Sequence, residues 1–480
     1  MQNSAIGTVE KNKLPLGGVT NLPGTLRPVI WLVVPVLVEQ ILALSVGFTD
    51  KWLAGNLLDG AEYLAAVGLV AYCLALLPGL FAIPAVAATC LVARSVGAGD
   101  LTAARRAATQ SLLVGAVLVA ILLGLASVAG EAFVHWMGLP AESTALAWRY
   151  LSIVVPALPA MMIIHVGVAV LRGAGNMVAG LFSMSVVNLV NAGASYALAT
   201  GCFGLPRLGW EGLAWGTLAG YCCGAVCVLF LLTRSAFHLR PQAIDWRPDY
   251  RRLKRILHVG IPAGVDAVAN AACHLGFLSI VNRLGNTDAA AHGLAITIES
   301  LAFLPGSAFA VAAATLAGQF LGAGDERRAR ESVWLAALGC TGLMTVAGIV
   351  FLLTADGLAA WFVGGAGRQP EVAALTATLV RIVAFAQPPL ALLMVLSGGL
   401  RGGGATRPPL LVNFLGLLVI RLPLAMLLAW PEIELPGGIL LTGLGLGAAG
   451  AWYAMAADLT VRSVAMLIIF KHKSWSRVSV

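Results

Sequence analysis

The chain has 480 residues, of which 59% are hydrophobic and only 11% charged, and its mean hydropathy is +0.89. A soluble surface cannot hide that much apolar side chain, so the composition excludes a soluble enzyme and indicates a protein of the lipid bilayer. A net charge of +8 would favour nucleic acid as the partner of a soluble protein. In a membrane protein the positions of Lys and Arg report topology instead, and we expect no nucleic acid partner.

The first predicted element is a polar tail, residues 1–27, which lacks the basic and then apolar pattern of a signal peptide. Twelve apolar runs follow, each long enough to cross the hydrocarbon core as a helix. They cover residues 29–52, 64–92, 107–128, 148–171, 178–200, 211–233, 255–281, 290–318, 332–354, 373–397, 408–430 and 443–470. The sequence therefore predicts an all-α membrane protein with twelve transmembrane helices.

These helices are predicted to form two pseudo-symmetric lobes of six helices each. The predicted boundaries are a first lobe at 28–235, a basic linker at 236–254, a second lobe at 255–470 and a tail at 471–480. The linker is interpreted as a solvated tether, and binding to lipid headgroups is the alternative.

Basic residues cluster in the loops on one side of the predicted helices, for example Arg94, Arg105 and Arg106 after helix 2. Loops on the other side, such as 54–63 and 430–438, carry acids and almost no Lys or Arg. Basic loops stay in the cytoplasm, so this pattern predicts a multi-pass protein of a bacterial-type inner membrane with both termini cytoplasmic.

Three segments of the first half recur in the second half, in the same order and at nearly the same spacing. They are PVLVE at 35–39 and PAGVD at 262–266, GAGDLTAAR at 97–105 and GAGDERRAR at 322–330, and LRGAGN at 171–176 and LRGGGAT at 400–406. Two duplicated six-helix lobes related by an axis along the membrane normal, with a cavity between them, are typical of rocking transporters. In the two GAGD loops, Asp100 and Asp325 are predicted to cap the following helices.

The ensemble of motifs resembles the MATE (multidrug and toxic compound extrusion) family from about residue 28 to residue 470. The likeness lies in Pro35, Gln40 and Asp50 of helix 1, the GAGD-x(3)-AR loop, the LRG-x-G turn and the Asn-bearing helix after it. It implies a secondary antiporter that exports small organic, often cationic, compounds such as xenobiotics in exchange for H⁺ or Na⁺. We expect the protein to be a monomer and not an enzyme. The resemblance implies no cofactor.

Carboxylates inside a membrane cost about 2.5 kcal/mol or more, so they are functional candidates by default. Asp50 takes the place of the family's helix 1 acid, and the resemblance implies that Asn191, Ser195 and Thr217 complete a coupling-ion site. Ser195 stands where the family usually has Asp or Asn, which favours H⁺ over Na⁺, although Na⁺ at Asp50 stays open as the one metal considered. Asn188 replaces Asn191 if the register is shifted. Hydrogen bonding between helices is the alternative interpretation of these polar residues.

Four further acids in predicted helices are candidates. Glu39 and Asp266 are equivalent under the repeat and are predicted to face each other, as an acidic cavity for cationic substrates or a proton route, with helix packing as the alternative. Glu299 is predicted to face substrate. Asp458 precedes Arg462 by four residues, which predicts an intrahelical ion pair.

Some MATE branches carry functional acids in the second lobe. The matching positions here hold Asn270 and Leu390, and Phe277 matches Asp50. The sequence therefore predicts that the first lobe alone carries the coupling ion.

The alternative function within the same superfold is a flippase for lipid-linked saccharides. Twelve spans and acidic rather than basic membrane residues argue against it. A membrane-embedded enzyme would need clustered nucleophile, His or metal-ligand motifs, which the spans lack.

Overall fold

The computed structural model describes residues 26–58, 60–138, 140–234, 239–363, 369–435, 439–472 and 474–478. Most of the predicted tail 1–27 and the start of the linker therefore lie outside the described residues. Within the described residues, twelve helices are long and apolar enough to cross a membrane, as predicted. In chain order they are α1 (Leu26–Leu57), α2 (Ala61–Gly97), α3 (Leu101–Trp136), α4 (Ala141–Gly173), α5 (Val178–Thr200), α6 (Trp210–Arg234), α7 (Tyr250–Asn282), α8 (Asn286–Gly322), α9 (Glu326–Val363), α10 (Pro370–Gly402), α11 (Arg407–Ala429) and α12 (Gly447–Lys471).

Most helices extend beyond the apolar runs that predicted them. Helix α3, predicted at 107–128, runs from Leu101 to Trp136. Polar caps rather than hydropathy fix the starts: the backbone N–H of Ala103 donates to Asp100 at 2.8 Å, and that of Arg328 donates to Asp325 at 2.9 Å. The predicted capping roles of both aspartates are thereby confirmed.

Two local features were not predicted. Helix α11 contains a π-helical turn, Gly416–Arg421. After it, the stretch 430–438, predicted as an external loop, contributes to an antiparallel hairpin of β1 (Glu432–Leu435) and β2 (Ile439–Thr442). Helix α12 begins at Gly447 rather than at 443, because Gly445 and Gly447 adopt positive φ angles of 64° and 61° that interrupt a helix.

The buried apolar side chains form two large clusters, one in each predicted lobe. One cluster is drawn from the second half of α1 and from α2 to α6. The other is drawn mainly from α7 to α12, and the first turns of α1 join it through Leu32 and Val36. The first helix therefore packs on both lobes, while the lobe boundaries at 28–235 and 255–470 stay predictions.

The lobes touch where the two GAGD loops lie, and we call this side of the molecule the GAGD end. A Cβ atom on Gly97 would lie 2.0 Å from the backbone oxygen of Gln319, and one on Gly322 would lie 2.1 Å from that of Arg94. Only glycine permits backbones to approach so closely. The Thr315 hydroxyl also donates to the Arg172 carbonyl across the interface, at 3.1 Å.

Candidate functional site

The Asp50 carboxylate, near the end of α1, is buried at 5% exposure. It accepts hydrogen bonds from Tyr150 Oη at 2.9 Å, Thr217 Oγ1 at 3.0 Å and Asn191 Nδ2 at 3.2 Å. The donors come from α4, α6 and α5, and all three are buried. The structure thus brings together Asp50, Asn191 and Thr217, three of the four residues that the family resemblance assigned to one site.

Ser195, the fourth, lies one step further from the carboxylate. Its hydroxyl is 3.4 Å from Asn191 Nδ2 and donates to the Leu213 carbonyl at 3.3 Å. Asn191 Oδ1 is buried and has no hydrogen-bond partner among the described residues, so one acceptor oxygen stays free within the cluster.

Asn188 does not take the place of Asn191. Its side-chain amide donates to the carbonyls of Leu42 and Met184, each at 2.8 Å. These hydrogen bonds to backbone carbonyls serve helix packing. The α5 residue that faces Asp50 is therefore Asn191 and not Asn188.

Two glycines of α6 allow α5 and α6 to pack closely enough to build this site. A Cβ atom on Gly216 would lie 2.1 Å from Ser195 Oγ, and one on Gly220 would lie 3.1 Å from the Asn191 Cβ. Close backbone approach through small residues is the usual way in which membrane helices bring polar side chains together.

Sequence reasoning missed Tyr150. Its ring packs against Trp210, with 5.1 Å between ring centroids, and its hydroxyl reaches both Asp50 and Thr217. A buried tyrosine hydroxyl needs a polar partner. A lone Tyr inside the apolar run of α4 was the signal that could have indicated it.

Every partner that the described residues give Asp50 is neutral. A neutral polar shell satisfies the oxygens of an ionised carboxylate without fixing its charge, so the group can accept a proton or, with neighbouring oxygens, a Na⁺ ion. This exchangeable charge distinguishes Asp50 from the paired acids described below.

A cavity of about 810 Å³ lies between the lobes. Among the described residues, six charged side chains line it: Arg172, Asp266, Glu299, Arg401, Arg421 and Arg462. Four of the six are arginines. The prediction of an acidic cavity is therefore wrong. The argument against a flippase that rested on acidic rather than basic membrane residues no longer holds.

Glu39 and Asp266 do not meet across the axis as an acidic pair, because each is paired with an arginine of its own lobe. Arg172 NH2 lies 2.6 Å from Glu39 Oε1, and Arg401 pairs with Asp266. Asn413 Nδ2 also donates to both Asp266 oxygens, at 3.0 and 3.2 Å. Both arginines belong to the LRG motifs, so the duplication that supplied the acids supplied their partners too.

The predicted ion pair of Asp458 and Arg462 is confirmed, with Arg462 NH2 2.6 Å from Asp458 Oδ2. A second arginine, Arg421, binds the same oxygen through Nε at 2.9 Å. Arg421 ends the π-helical turn of α11 and is far from Asp458 in sequence, so no spacing rule indicated it. Arg462 NH1 donates to Asn413 Oδ1 at 3.2 Å, which joins this group to Asp266.

Glu299 lines the cavity, and within the described part of the chain it makes no hydrogen bond or ion pair. Phe277, at the place that matches Asp50, is buried against the His292 ring, with 5.7 Å between centroids. Asn270 and Leu390 also line the cavity. The polar groups of the two lobes are therefore different in kind.

Comparisons with known proteins bear on this arrangement. The MatE family model matches residues 35–197 and 262–427, one match in each half. A probable multidrug resistance protein NorM of Thermotoga maritima is 27% identical over 474 residues, which covers 98% of this chain and 97% of the relative.

Two solved structures share the fold, each at 20% sequence identity and each covering 96% of this chain and 99% of its own. One is described as a MOP superfamily transporter from Pyrococcus furiosus whose binding pocket has reverse polarity, with a TM-score of 0.85. The other is described as an outward-facing multidrug resistance MATE family transporter, with a TM-score of 0.84.

Proposed function

The chain belongs to the MatE family of transporters, and on that premise we propose that it is a secondary active antiporter of the inner membrane that exports small organic compounds in exchange for H⁺ or Na⁺. The observation that carries this proposal is the buried Asp50 carboxylate, whose partners among the described residues are all neutral. Inside a membrane, such an acid is retained for function, because its charge has no structural partner to balance it.

Coupling follows from the two charge states of this site. A cation that binds Asp50 cancels its charge, and its release restores the charge. Each state favours a different packing of α1, α4, α5 and α6 around the carboxylate. A ligand shifts a two-state equilibrium only through its different affinity for the two states, and Asp50 supplies that difference.

We place the GAGD end on the cytoplasmic side, since the basic residues lie there, and both termini with it. The glycine contacts between Gly97 and Gln319 then form part of the closed cytoplasmic side. The Arg105 side chain, near the start of α3, supports this orientation under the positive-inside rule.

For the coupling ion we propose H⁺. The hydrogen bonds from Tyr150, Thr217 and Asn191 occupy acceptor positions of Asp50 that a Na⁺ ion would need. Ser195 contributes a hydroxyl where a second carboxylate would strengthen Na⁺ binding. Na⁺ remains the alternative coupling ion. The ligands available for it beside Asp50 are Asn191 Oδ1 and the hydroxyl oxygens of Tyr150 and Thr217.

The test is efflux of a cationic dye from proteoliposomes under an imposed pH gradient or an imposed Na⁺ gradient. We expect the pH gradient to drive efflux by the wild type, and Asp50→Asn to lose at least about tenfold of that rate. The matched control is Asp356→Asn, which removes an exposed acid near the end of α9 and should keep the wild-type rate.

Each other outcome has a definite meaning. Efflux driven only by Na⁺ would identify Na⁺ as the coupling ion at the same site. Full activity of Asp50→Asn would contradict the site, and failure of both gradients would contradict antiport.

The four cavity arginines keep the flippase for lipid-linked saccharides as a second candidate, because such lipids carry diphosphate groups that arginine binds well. A flippase predicts that a polyprenyl diphosphate lipid competes with the dye for the cavity. An exporter of small compounds predicts no competition.

A further inference from the structure

Most of the charged groups in the cavity are already balanced by a partner. Arg172 is paired with Glu39, and Arg401 with Asp266. Among the described residues, two cavity groups of the second lobe remain without a full partner. They are the guanidinium of Arg421, which shares Asp458 with Arg462, and the carboxylate of Glu299.

The Arg421 side chain is held in one orientation. Its Nε donates to Asp458 at 2.9 Å, and its terminal NH₂ groups make no hydrogen bond within the described residues although the residue lines the cavity. Asp458 and Arg462 are themselves packed against α11, since a Cβ atom on Gly416 would lie 2.3 Å from Arg462 Cδ. Asp458 is therefore a positioning residue that aims the fork of Arg421 at the cavity.

One carboxylate cannot neutralise two guanidinium groups, and arginine does not lose its proton in proteins. An excess cation inside the membrane is costly and marks a binding function. A planar guanidinium with free N–H groups is also the side chain best suited to a carboxylate or phosphate group.

Glu299, on α8, supplies the opposite charge in the same cavity. Both Glu299 and Arg421 line the cavity, and in the described residues neither a hydrogen bond nor an ion pair joins them. The two charges thus face one cavity while remaining separate. A purely anionic ligand would be repelled by Glu299, and a purely cationic ligand by Arg421.

We propose that the second lobe binds organic zwitterions, with Arg421 binding the anionic group and Glu299 the cationic centre of the same molecule. This assignment rests on the proposed export function and names the substrate class for it. The first-lobe site at Asp50 plays no part in the selection.

The probes are one rhodamine dye in two forms, the free acid, which carries a carboxylate and a delocalised cation, and its methyl ester, which carries the cation alone. Binding to purified protein in detergent is measured by fluorescence polarisation, without any ion gradient. We expect the wild type to bind the free acid more tightly than the ester.

Arg421→Gln should weaken binding of the free acid about tenfold or more, because a charge-assisted hydrogen bond is lost, and should not weaken binding of the ester, whose cation Arg421 repels. Retained ester binding also reports that the variant is folded. Glu299→Gln should weaken both dyes. The matched control is Arg381→Gln, which removes an exposed arginine of α10 and should change neither dye.

Equal weakening of the binding of both dyes by Arg421→Gln would show that Arg421 is structural and would overturn the proposal. Ester binding that does not change with Glu299→Gln would overturn it too. Selective binding that persists while neither gradient drives efflux would contradict the antiporter and leave this site standing.

Discussion

The hydroxyl of Tyr150 is one of three donors that stabilise the ionised form of Asp50. Tyr150→Phe leaves the ring in place against Trp210 and removes that hydrogen bond. A hydrogen bond to a charged group contributes about 1.5–3 kcal/mol, which corresponds to about one to two pH units. Because the protonated form of Asp50 gains by the change, we expect the pH of half-maximal efflux to rise by that amount.

The measurement is the pH profile of dye efflux from proteoliposomes at a constant gradient. Tyr196→Phe is the matched control, since Tyr196 is an exposed tyrosine of α5. A profile identical to that of the wild type would mean that Tyr150 does not act on the coupling acid.

Asp458 is the residue on which the buried charges of the second lobe depend. Asp458→Asn leaves Arg421 and Arg462 buried without a counter-charge, and breaking a buried pair in this way costs about 3–5 kcal/mol. We expect a clear fall in the thermal unfolding temperature in detergent. Asp356→Asn breaks an exposed ion pair with Arg381 and should shift it little, because such pairs contribute at most about 1 kcal/mol. Similar shifts in the two variants would contradict the buried network.

At the scale of elements, the crossing of α2 and α8 at the GAGD end decides how firmly the lobes close there. Gly322→Ala places a methyl group 2.1 Å from the Arg94 carbonyl, so the backbones must separate. Overpacking of this kind costs about 1–3 kcal/mol, which is enough to shift an equilibrium between closed and open forms several-fold.

Spin labels at Ala98→Cys and Ala323→Cys, in a chain whose eight native cysteines are replaced, report the separation of the two loops. We expect Gly322→Ala to move the distance distribution to longer values. Gly342→Ala, where the added methyl meets no atom within 4 Å, should leave it unchanged. A distribution that also stays unchanged with Gly322→Ala would show that this contact does not hold the lobes together.

Hydropathy predicted all twelve helices because a membrane span needs a continuous apolar run. It could not predict the π-helical turn of α11 or the hairpin after it, since both depend on packing. The sequence of the turn Gly416–Arg421 looks like that of an ordinary apolar helix. In the structure, Arg421 at the end of this turn contacts Asp458.

The same limit applied to the sites. The resemblance placed Asp50, Asn191 and Thr217 together because each sits at a fixed distance from a motif. Tyr150 and Arg421 follow no such spacing and were found only through their contacts. The acids Glu39 and Asp266 were visible in the repeat, but the repeat did not indicate that the arginines of the LRG motifs are their partners.

For the whole molecule, the duplication produces the scaffold of two similar lobes, and the different polar groups of the lobes give each lobe a different role. The first lobe holds an acid with neutral partners at Asp50, where the second holds Phe277. The second lobe holds the network of Arg421, Asp458 and Arg462. In the proposed antiporter, the ion therefore acts on one lobe and the substrate's charges on the other, and the rocking of the two lobes links them.

The linker between the lobes must move with one of them, and its contacts tie it to the first. Arg105 of α3 binds Asp245 at 2.7 Å, and Gln110 donates to the backbone oxygens of Asp245 and Arg247 at 2.7 and 2.8 Å. Burial opposes ionisation of Asp245, but the hydrogen bond from Arg105, a backbone N–H and the nearby Arg charges outweigh it and lower the pKa of Asp245.

Because that pKa lies below its unfolded value of about 3.9, the ion pair contributes fully above that pH and is lost as the pH falls through the folded value. Hydrogen exchange of the segment 242–252, corrected for its intrinsic pH dependence, should therefore stay constant from pH 8 to pH 5 and rise only below about pH 4. Asp245→Asn should raise it at neutral pH, since the amide cannot balance Arg105. Asp249→Asn, which keeps a side-chain cap on α7, should not raise the hydrogen exchange of this segment. Equal exchange in the two variants would mean that Asp245 does not fasten the linker, and the tether would then be free to follow either lobe.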